Sequence, residues 1–202
     1  MNKFFEVLAK PAKWILVIGG FVYALWFAIS NAANMDGTFM SVIVNLMILV
    51  VGTALLVAVP ILVLLNKVEV AKTAFLILVG YWLLTSIQGY YRQAEGLSEF
   101  NGDGLAIACS IFYFLVASCL LAVLVLTILE FALKKTAFRF ISFIVLIALI
   151  GISFIAGLLY LIEAARLEWG WRIIMVPIFD DMLLPIVVCF GYLYFFGAPK
   201  QN

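Results

Sequence analysis

The sequence contains one pair of side chains suited to binding a positive charge, Asp180 and Asp181, which are adjacent in an apolar stretch. An ionised aspartate near the centre of a membrane helix costs about 2.5–3.5 kcal/mol, so two of them are not an incidental feature. Pro177 and Pro185 flank the pair, and each proline removes a backbone N–H donor. We therefore expect a broken helix that lines a cavity, with the carboxylates and free carbonyls typical of cation sites.

Helix geometry gives the depth of this pair. Asp181 precedes Phe196 by fifteen residues, a rise of about 22 Å, which leaves the pair roughly 8 Å inside a ~30 Å hydrocarbon core. Two other interpretations remain open. If residues 171–181 form an interfacial helix, the carboxylates lie among the headgroups. Alternatively, the aspartates form ion pairs with an arginine at the same depth, and the candidates are Arg92, Arg166 and Arg172.

A second polar feature follows one face of a predicted helix. Polar residues recur at intervals of four, three and four, at Tyr81, Thr85, Gln88 and Arg92. At about 3.6 residues per turn these positions share a face. Such a stripe is expected where a helix faces the bundle interior or a wet cavity. Interhelical hydrogen bonds, worth about 0.6 kcal/mol each, are the alternative explanation.

Polar residues concentrate toward the same end of every predicted span, and the opposite half is nearly all apolar. Asn45 lies at this end of the second predicted span and Glu163 at this end of the fifth. The sequence therefore predicts a ligand-binding pocket. Its predicted lining residues are Asp180, Asp181, Glu163, Arg92, Gln88, Thr85 and Asn45.

The residue types that are missing restrict the chemistry. The chain has no histidine, which removes Ser–His and Cys–His nucleophile pairs and the commonest zinc ligand. Its cysteines, Cys109, Cys119 and Cys189, lie in apolar runs without a CxxC pair, so they predict neither a disulfide nor a metal site. We expect no catalytic residue, no metal and no cofactor. A net charge of +1 gives no indication of a nucleic-acid partner.

The amino-acid composition indicates that the chain folds in a lipid bilayer. Of the 202 residues, 67% are hydrophobic and 11% charged, against about 25% charged in soluble domains. A membrane span needs about 20 apolar residues. We predict an all-α polytopic membrane protein, a single transmembrane helical domain over 1–202 that includes a short interfacial helix at 1–13. The six predicted spans are 14–33, 40–65, 73–91, 105–133, 138–162 and 171–196.

Lysine and arginine predict the orientation of these spans. One set of loops and termini holds nine of the basic residues and the other set holds three, which are Arg92, Arg166 and Arg172. Because cytoplasmic loops are enriched in Lys and Arg, both termini are predicted to be cytoplasmic. The expected location is a cell membrane, the bacterial cytoplasmic membrane in particular.

Small residues form a ridge on the first predicted span. They recur every four residues at Gly20, Ala24, Ala28 and Ala32. Small residues at this spacing allow two helices to approach closely, either within the chain or between the chain and a partner. The ridge therefore predicts either internal packing or a partner face.

Three classes of function remain open. The first is an outward-facing pocket that binds or transports a small polar or cationic solute, in contact with the lipid bilayer. The second is a non-catalytic subunit or sensor in a larger membrane complex or homo-oligomer. The third and least favoured is a lipid-modifying enzyme. Asp36 and Asp103 are not followed by further aspartates at the spacing that would bind a catalytic metal ion.

Overall fold

The computed structural model describes residues 2–32, 39–97, 103–133, 137–166 and 170–197. Within these ranges the side chains of 2–6, 8–9, 39–41, 44, 85–86, 88–97, 131 and 172–173 are excepted.

The described chain is helical and contains no strand. Five helices come first: α1 (Asn2–Ala32), α2 (Phe39–Leu64), α3 (Val68–Leu97), α4 (Gly104–Leu133) and α5 (Ala137–Arg166). A composite helix then joins α6 (Trp171–Val176), a first π-helical segment (Pro177–Leu183), α7 (Leu184–Tyr192) and a second π-helical segment (Leu193–Gly197). The predicted all-α class is therefore confirmed.

Five stretches of the described chain are long and apolar enough to cross a membrane. They are Lys10–Ala32, Asn45–Leu64, Gly104–Glu130, Ala137–Arg166 and Ile174–Gly197. The expectation of a multi-pass membrane protein agrees with these five helices. The third predicted span lies on α3, which is not among them.

The N-terminal segment differs from the expectation. The sequence predicts a separate interfacial helix over 1–13, but α1 is continuous from Asn2 to Ala32 and contains Pro11. A proline removes one i→i−4 hydrogen bond, and the remaining bonds on both sides of it can keep the chain helical. No break therefore separates the polar start of α1 from its apolar part.

Contacts divide the chain into two compact units, which are described separately. The first unit comprises Met1–Leu78 with Phe190–Asn202, and the second comprises Val79–Cys189.

In the first unit, α1 and α2 form an antiparallel hairpin that packs through glycine. A Cβ atom on Gly20 would lie 2.8 Å from Cγ of Pro60, and one on Gly52 would lie 2.6 Å from Cε1 of Phe27. Each glycine thus admits a ring from the opposite helix. Along the small-residue ridge, Gly20 and Ala24 are buried, whereas the last member, Ala32, is exposed.

The end of the composite helix packs in the same unit. The rings of Phe75 and Phe195 lie 5.2 Å apart, and the second π-helical segment packs on α1. The Lys72 ammonium lies 4.4 Å from the centre of the Phe196 ring, a cation–π contact.

In the second unit, α4 and α5 form another antiparallel hairpin, which carries an ion pair near each end. Arg139 Nε donates to Glu130 Oε1 at 2.7 Å, and Arg166 pairs with Asp103. Helical spacing in the sequence also suggests Lys134 as a partner of Glu130; Lys134 lies outside the described residues. One face of α5 is buried, and the first π-helical segment packs against this helix.

Candidate functional site

The two predicted aspartates lie in the first π-helical segment. The N–H of Leu184 donates to the carbonyl oxygen of Phe179, five residues earlier, so the helix widens by one residue per turn. Pro177 begins the segment, where its missing N–H leaves room for this change of hydrogen bonding. The expected break in the helix thus takes the form of a continuous, widened turn. Such π turns occur frequently at functional sites.

Gly157 of α5 sets how closely the first π-helical segment approaches. A Cβ atom at this position would lie 3.1 Å from Cβ of Asp181 and 3.4 Å from the carbonyl oxygen of Pro177. A Cβ atom here would therefore require Asp181 to shift by a few tenths of an ångström. Glycine here therefore brings Asp181 directly against the buried face of α5.

Asp181 is buried and accepts a hydrogen bond from a tyrosine. Only 7% of the residue is exposed, and its Oδ2 accepts from the hydroxyl of Tyr113 on α4 at 2.6 Å. Its neighbour Asp180 is half-buried. The sequence leaves a cavity, an arginine and the headgroups open as the surroundings of Asp181. The observed hydrogen-bond donor is a neutral phenol.

Glu163 is a second buried carboxylate, on α5. Its exposed fraction is 6%, and Oε2 accepts from the thiol of Cys109 with the sulfur at 3.8 Å. A thiol is a weak donor. This hydrogen bond thus offsets little of the loss of hydration, and the Arg166 guanidinium adds a longer-range electrostatic attraction.

These side chains form one group, which we call the carboxylate cluster. The hydroxyl of Tyr160 lies within electrostatic range of Glu163, Asp180 and Asp181, and the thiol of Cys109 lies within range of Glu163 and Asp181. The cluster therefore consists of acidic and neutral groups drawn from three elements. Its members are Cys109, Tyr113, Tyr160, Glu163, Asp180 and Asp181.

The described chain contains no group of three or more His, Cys, Asp or Glu residues arranged to hold a metal ion. The carboxylate and phenol oxygen atoms of the carboxylate cluster suit a cation held by charge.

A hydrocarbon core centred between the two ion pairs of the α4–α5 hairpin would place the members of the cluster at different depths. Asp103 and Glu130 are separated by a rise of about 40 Å, which exceeds the ~30 Å hydrocarbon core by about 5 Å at each end. By the same measure Tyr113, about 15 Å from Asp103, would lie about 10 Å inside such a core, whereas Glu163, three residues before Arg166, would lie close to its boundary.

Asp103 belongs to the nearer end of the hairpin and has a structural role there. Its Oδ1 accepts from the backbone N–H of Leu105 at 3.0 Å, which caps the start of α4. The hydrogen bond from the Arg166 guanidinium, followed by that from Leu105, lowers the pKa of Asp103 below its ordinary value of 3.8. Arg166, a candidate partner of the aspartates, is thus engaged by Asp103.

The structure unites three of the seven predicted ligand-binding residues: Glu163, Asp180 and Asp181. Asn45 lies on α2, in the first unit, and is half-buried. The remaining three lie on α3, and their side chains are outside the described part of the chain; they are Thr85, Gln88 and Arg92.

Sequence reasoning missed the partners contributed by α4 and α5. Cys109 and Tyr113 are four residues apart, and Tyr160 precedes Glu163 by three, so helical spacing alone could have placed each pair on one face. The half of α5 expected to be apolar also contains Ser142, and Ser153 lies just beyond the middle of the helix. Both are fully buried, and neither hydroxyl has a hydrogen-bond partner within the described residues.

Comparison with known proteins adds no family to this description. No protein-family model matches the chain, and no curated protein or solved structure matches it at a significant level.

Proposed function

We propose that the second unit binds a small cationic solute at the carboxylate cluster and moves it across the membrane. The observation that carries this proposal is the convergence of Asp181 and Glu163, two carboxylates more than nine-tenths buried, from different helices. Their hydrogen-bond donors among the described residues are the neutral groups of Tyr113 and Cys109. A positive charge is the complement that this group requires.

The energetics favour a binding role over a purely structural one. A hydrogen bond to a charged group contributes about 1.5–3 kcal/mol, whereas an ionised aspartate at the centre of a membrane helix costs about 2.5–3.5 kcal/mol. The Tyr113 hydroxyl therefore at best offsets the burial of Asp181. Stability alone does not account for this acid.

The aromatic rings restrict the type of solute. Tyr113 and Tyr160 place phenol groups beside the carboxylates. Aromatic faces attract ammonium and guanidinium groups, and this attraction strengthens where water is excluded. An organic ammonium ion of small size thus fits this chemistry better than a neutral sugar or an anion.

A binding assay on the purified full chain tests this proposal. Methylammonium, guanidinium, choline and Na⁺ are added to separate samples, and both the melting temperature and heat of binding are measured. We expect at least one of these cations to bind, and Asp181→Asn or Glu163→Gln to weaken it about tenfold or more, because a charge-assisted contact is lost. Asp103→Asn is the matched control, because it removes a carboxylate outside the cluster.

A structural role predicts the opposite pattern. In that case Asp181→Asn and Glu163→Gln would lower the melting temperature without any ligand, and none of the four cations would bind to the wild-type chain. That combination would refute the proposal.

We propose further that α3 forms a sixth span, with both termini in the cytoplasm of a bacterial cell. The excess of Lys and Arg in the loop at 134–139 over the loop at 92–103 supports this orientation. Ser98→Cys should react with an impermeant maleimide in intact cells and Thr136→Cys should not. The wild-type chain, whose cysteines lie within the apolar helices, serves as control. Labelling of Thr136→Cys alone would reverse the orientation.

A second candidate function is a non-catalytic subunit or sensor in a larger membrane complex. The exposed Ala32, at the end of the small-residue ridge, favours this alternative, because the described part of the chain leaves that position uncovered. In either case we propose no enzymatic activity and no nucleic-acid partner.

A further inference from the structure

The charged side chains that the structure describes in the first unit all lie at one end of it. They are Lys10 and Lys13 on α1, Lys67 between α2 and α3, and Glu69 and Lys72 on α3. Four lysines and one glutamate give this end a net charge of +3. It is the end where the apolar stretch of α1 begins and that of α2 ends. The positive charge is thus placed at the boundary of the membrane-spanning stretches.

The packing of α1 on α2 places two of these lysines at the same level. Gly20 meets the ring of Pro60 across the hairpin. Lys13 precedes Gly20 by seven residues, a rise of about 10 Å. Because the two helices are antiparallel, Lys67, seven residues after Pro60, lies beyond the same contact in the same direction.

A tight turn fixes the backbone at Lys67. Its N–H donates to the carbonyl oxygen of Leu62 at 2.9 Å, and the N–H of Asn66 donates to that of Val63 at 3.2 Å. Asn66 adopts the left-handed conformation, with φ at 56°, so the turn is a Schellman motif. The carbonyl oxygen of Lys67 then accepts from the N–H of Ala71, which begins α3 without an intervening loop.

A shared packing layer relates Lys13 to Lys72. Leu16 and Phe75 both pack at Gly191, where a Cβ atom would clash with the two side chains. Lys13 precedes Leu16 by three residues, and Lys72 precedes Phe75 by three. Since α1 and α3 both run away from this end of the unit, the two lysines lie about one helical turn beyond the same layer.

An aromatic ring orders one of the ammonium groups. Nζ of Lys72 lies 4.4 Å from the centre of the ring of Phe196, which is itself buried. An ammonium group has three N–H donors, and a ring on one side leaves the others for an acceptor elsewhere. Because the side chain is already held, less conformational freedom is lost when an anion binds to it.

The described carboxylates do not neutralise this end of the unit. The two ion pairs of the described chain, Arg139 with Glu130 and Arg166 with Asp103, belong to the second unit. In the first unit the described acid is Glu69, which balances at most one of the four lysines. An excess of positive charge therefore remains for an anion from outside the chain.

Apolar side chains are exposed among the lysines. Trp14, next to Lys13, is 57% exposed, and Leu65 and Val70, on either side of Lys67, are 63% and 58% exposed. Tryptophan is enriched at the boundary between membrane and water. A surface with both basic and apolar groups fits a phospholipid, because the phosphate meets the ammonium groups and the acyl chains cover the apolar side chains. A soluble acidic partner would match the charge alone.

We infer that this end of the first unit binds the headgroup of an anionic phospholipid. The four lysines, Lys10, Lys13, Lys67 and Lys72, form what we call the lysine cluster. Their ammonium groups donate charge-assisted hydrogen bonds to the phosphate oxygens, and the Phe196 ring positions the Lys72 ammonium for this role. The inference is independent of the proposed function, which concerns other residues in the other unit.

Native mass spectrometry of the delipidated full chain in a neutral detergent tests the inference. Phosphatidylglycerol and phosphatidylcholine are added to separate samples, and the fraction of lipid-bound chain is measured. We expect phosphatidylglycerol to bind about tenfold or more tightly than phosphatidylcholine. Lys13→Gln/Lys72→Gln should remove most of this preference, because each basic residue near an anionic lipid surface contributes about fivefold.

Two further double variants serve as controls. Lys13→Arg/Lys72→Arg keeps both charges and should keep the preference for phosphatidylglycerol. Lys134→Gln/Lys135→Gln removes the same charge from another part of the chain and should keep it as well. Soluble glycerol phosphate at millimolar concentration should not displace the lipid, since it has no acyl chains to cover the exposed apolar residues.

Four outcomes would overturn the inference. If the wild-type chain binds both lipids equally, the lysine cluster has no preference for an anionic headgroup. If Lys134→Gln/Lys135→Gln loses as much preference as Lys13→Gln/Lys72→Gln, binding follows net charge alone. Loss of the preference in Lys13→Arg/Lys72→Arg would show that the two lysines act through packing. Displacement of the lipid by glycerol phosphate would assign the cluster to a soluble phosphate.

Discussion

The two helical hairpins of this chain solve the same packing problem with different side chains. The α1–α2 hairpin brings its backbones together at Gly20 and Gly52, each of which accepts a ring from the opposite helix. The α4–α5 hairpin has an ion pair near each end and one buried acid, Glu163. The α1–α2 hairpin is stabilised by close packing at its glycines, whereas the α4–α5 hairpin contains charged side chains.

This difference shows that buried acids are not needed to hold a hairpin in this protein. Small residues suffice, because close approach of two helices gains van der Waals contact throughout the seam. Glu163, and Asp181 packed against the same helix, therefore require an explanation other than packing.

The largest expected effect concerns the α1–α2 hairpin. Gly20→Ala places a methyl group 2.8 Å from the ring of Pro60, and a proline ring cannot rotate away. We expect the free energy of unfolding in mixed detergent micelles to fall by about 1–3 kcal/mol, as for other overpacked sites.

Gly151→Ala on α5 is the matched control, because Gly151 is exposed and the methyl group of an alanine there would have no neighbouring atom within 4 Å. It should be neutral or slightly stabilising, since alanine favours the helix more than glycine does. Equal losses of stability in the two variants would mean that close packing at Gly20 does not stabilise the α1–α2 hairpin.

A smaller effect is expected at the ion pair between Asp103 and Arg166. Asp103→Asn keeps an oxygen for the cap on Leu105 and removes the charge. Because the folded pKa of Asp103 is lowered, the pair stabilises the fold above the unfolded pKa, near 3.8, and this contribution is lost as pH falls through the folded value. The variant should therefore melt slightly below the wild type at pH 7 and together with it in strong acid.

Melting curves across this pH range decide the point. If the difference in melting temperature between the wild type and Asp103→Asn is unchanged at the lowest pH, the charge of Asp103 does not contribute to stability. Exposed ion pairs contribute little, so added salt should also reduce the difference at pH 7.

Much of the fold could be predicted from the sequence, because long apolar runs separated by short polar breaks have few other solutions. The bounds of α2, α4 and α5 lie within a few residues of the predicted spans. The error at Pro11 arose because a proline was taken as a helix start, whereas α1 continues through it.

Less of the candidate site could be predicted. The cost of burying charge identified Asp180, Asp181 and Glu163 from the sequence alone. Their partners depend on the register between α4 and α5, which hydropathy does not encode. The contact at Gly157 likewise depends on the packing of the π turn, and nothing in the local sequence distinguishes this glycine from Gly151.

The first π-helical segment makes the chain sensitive to its own length. A π turn contains one residue more than an α turn, so deleting one residue between Pro177 and Asp181 would restore α-helical geometry without opening a loop. The helix beyond would then rotate by about 100° and shift by about 1.5 Å relative to α6. Such a deletion would leave the hydropathy of the span almost unchanged while turning Asp181 away from Tyr113. In this part of the chain, the number of residues carries as much information as their identity.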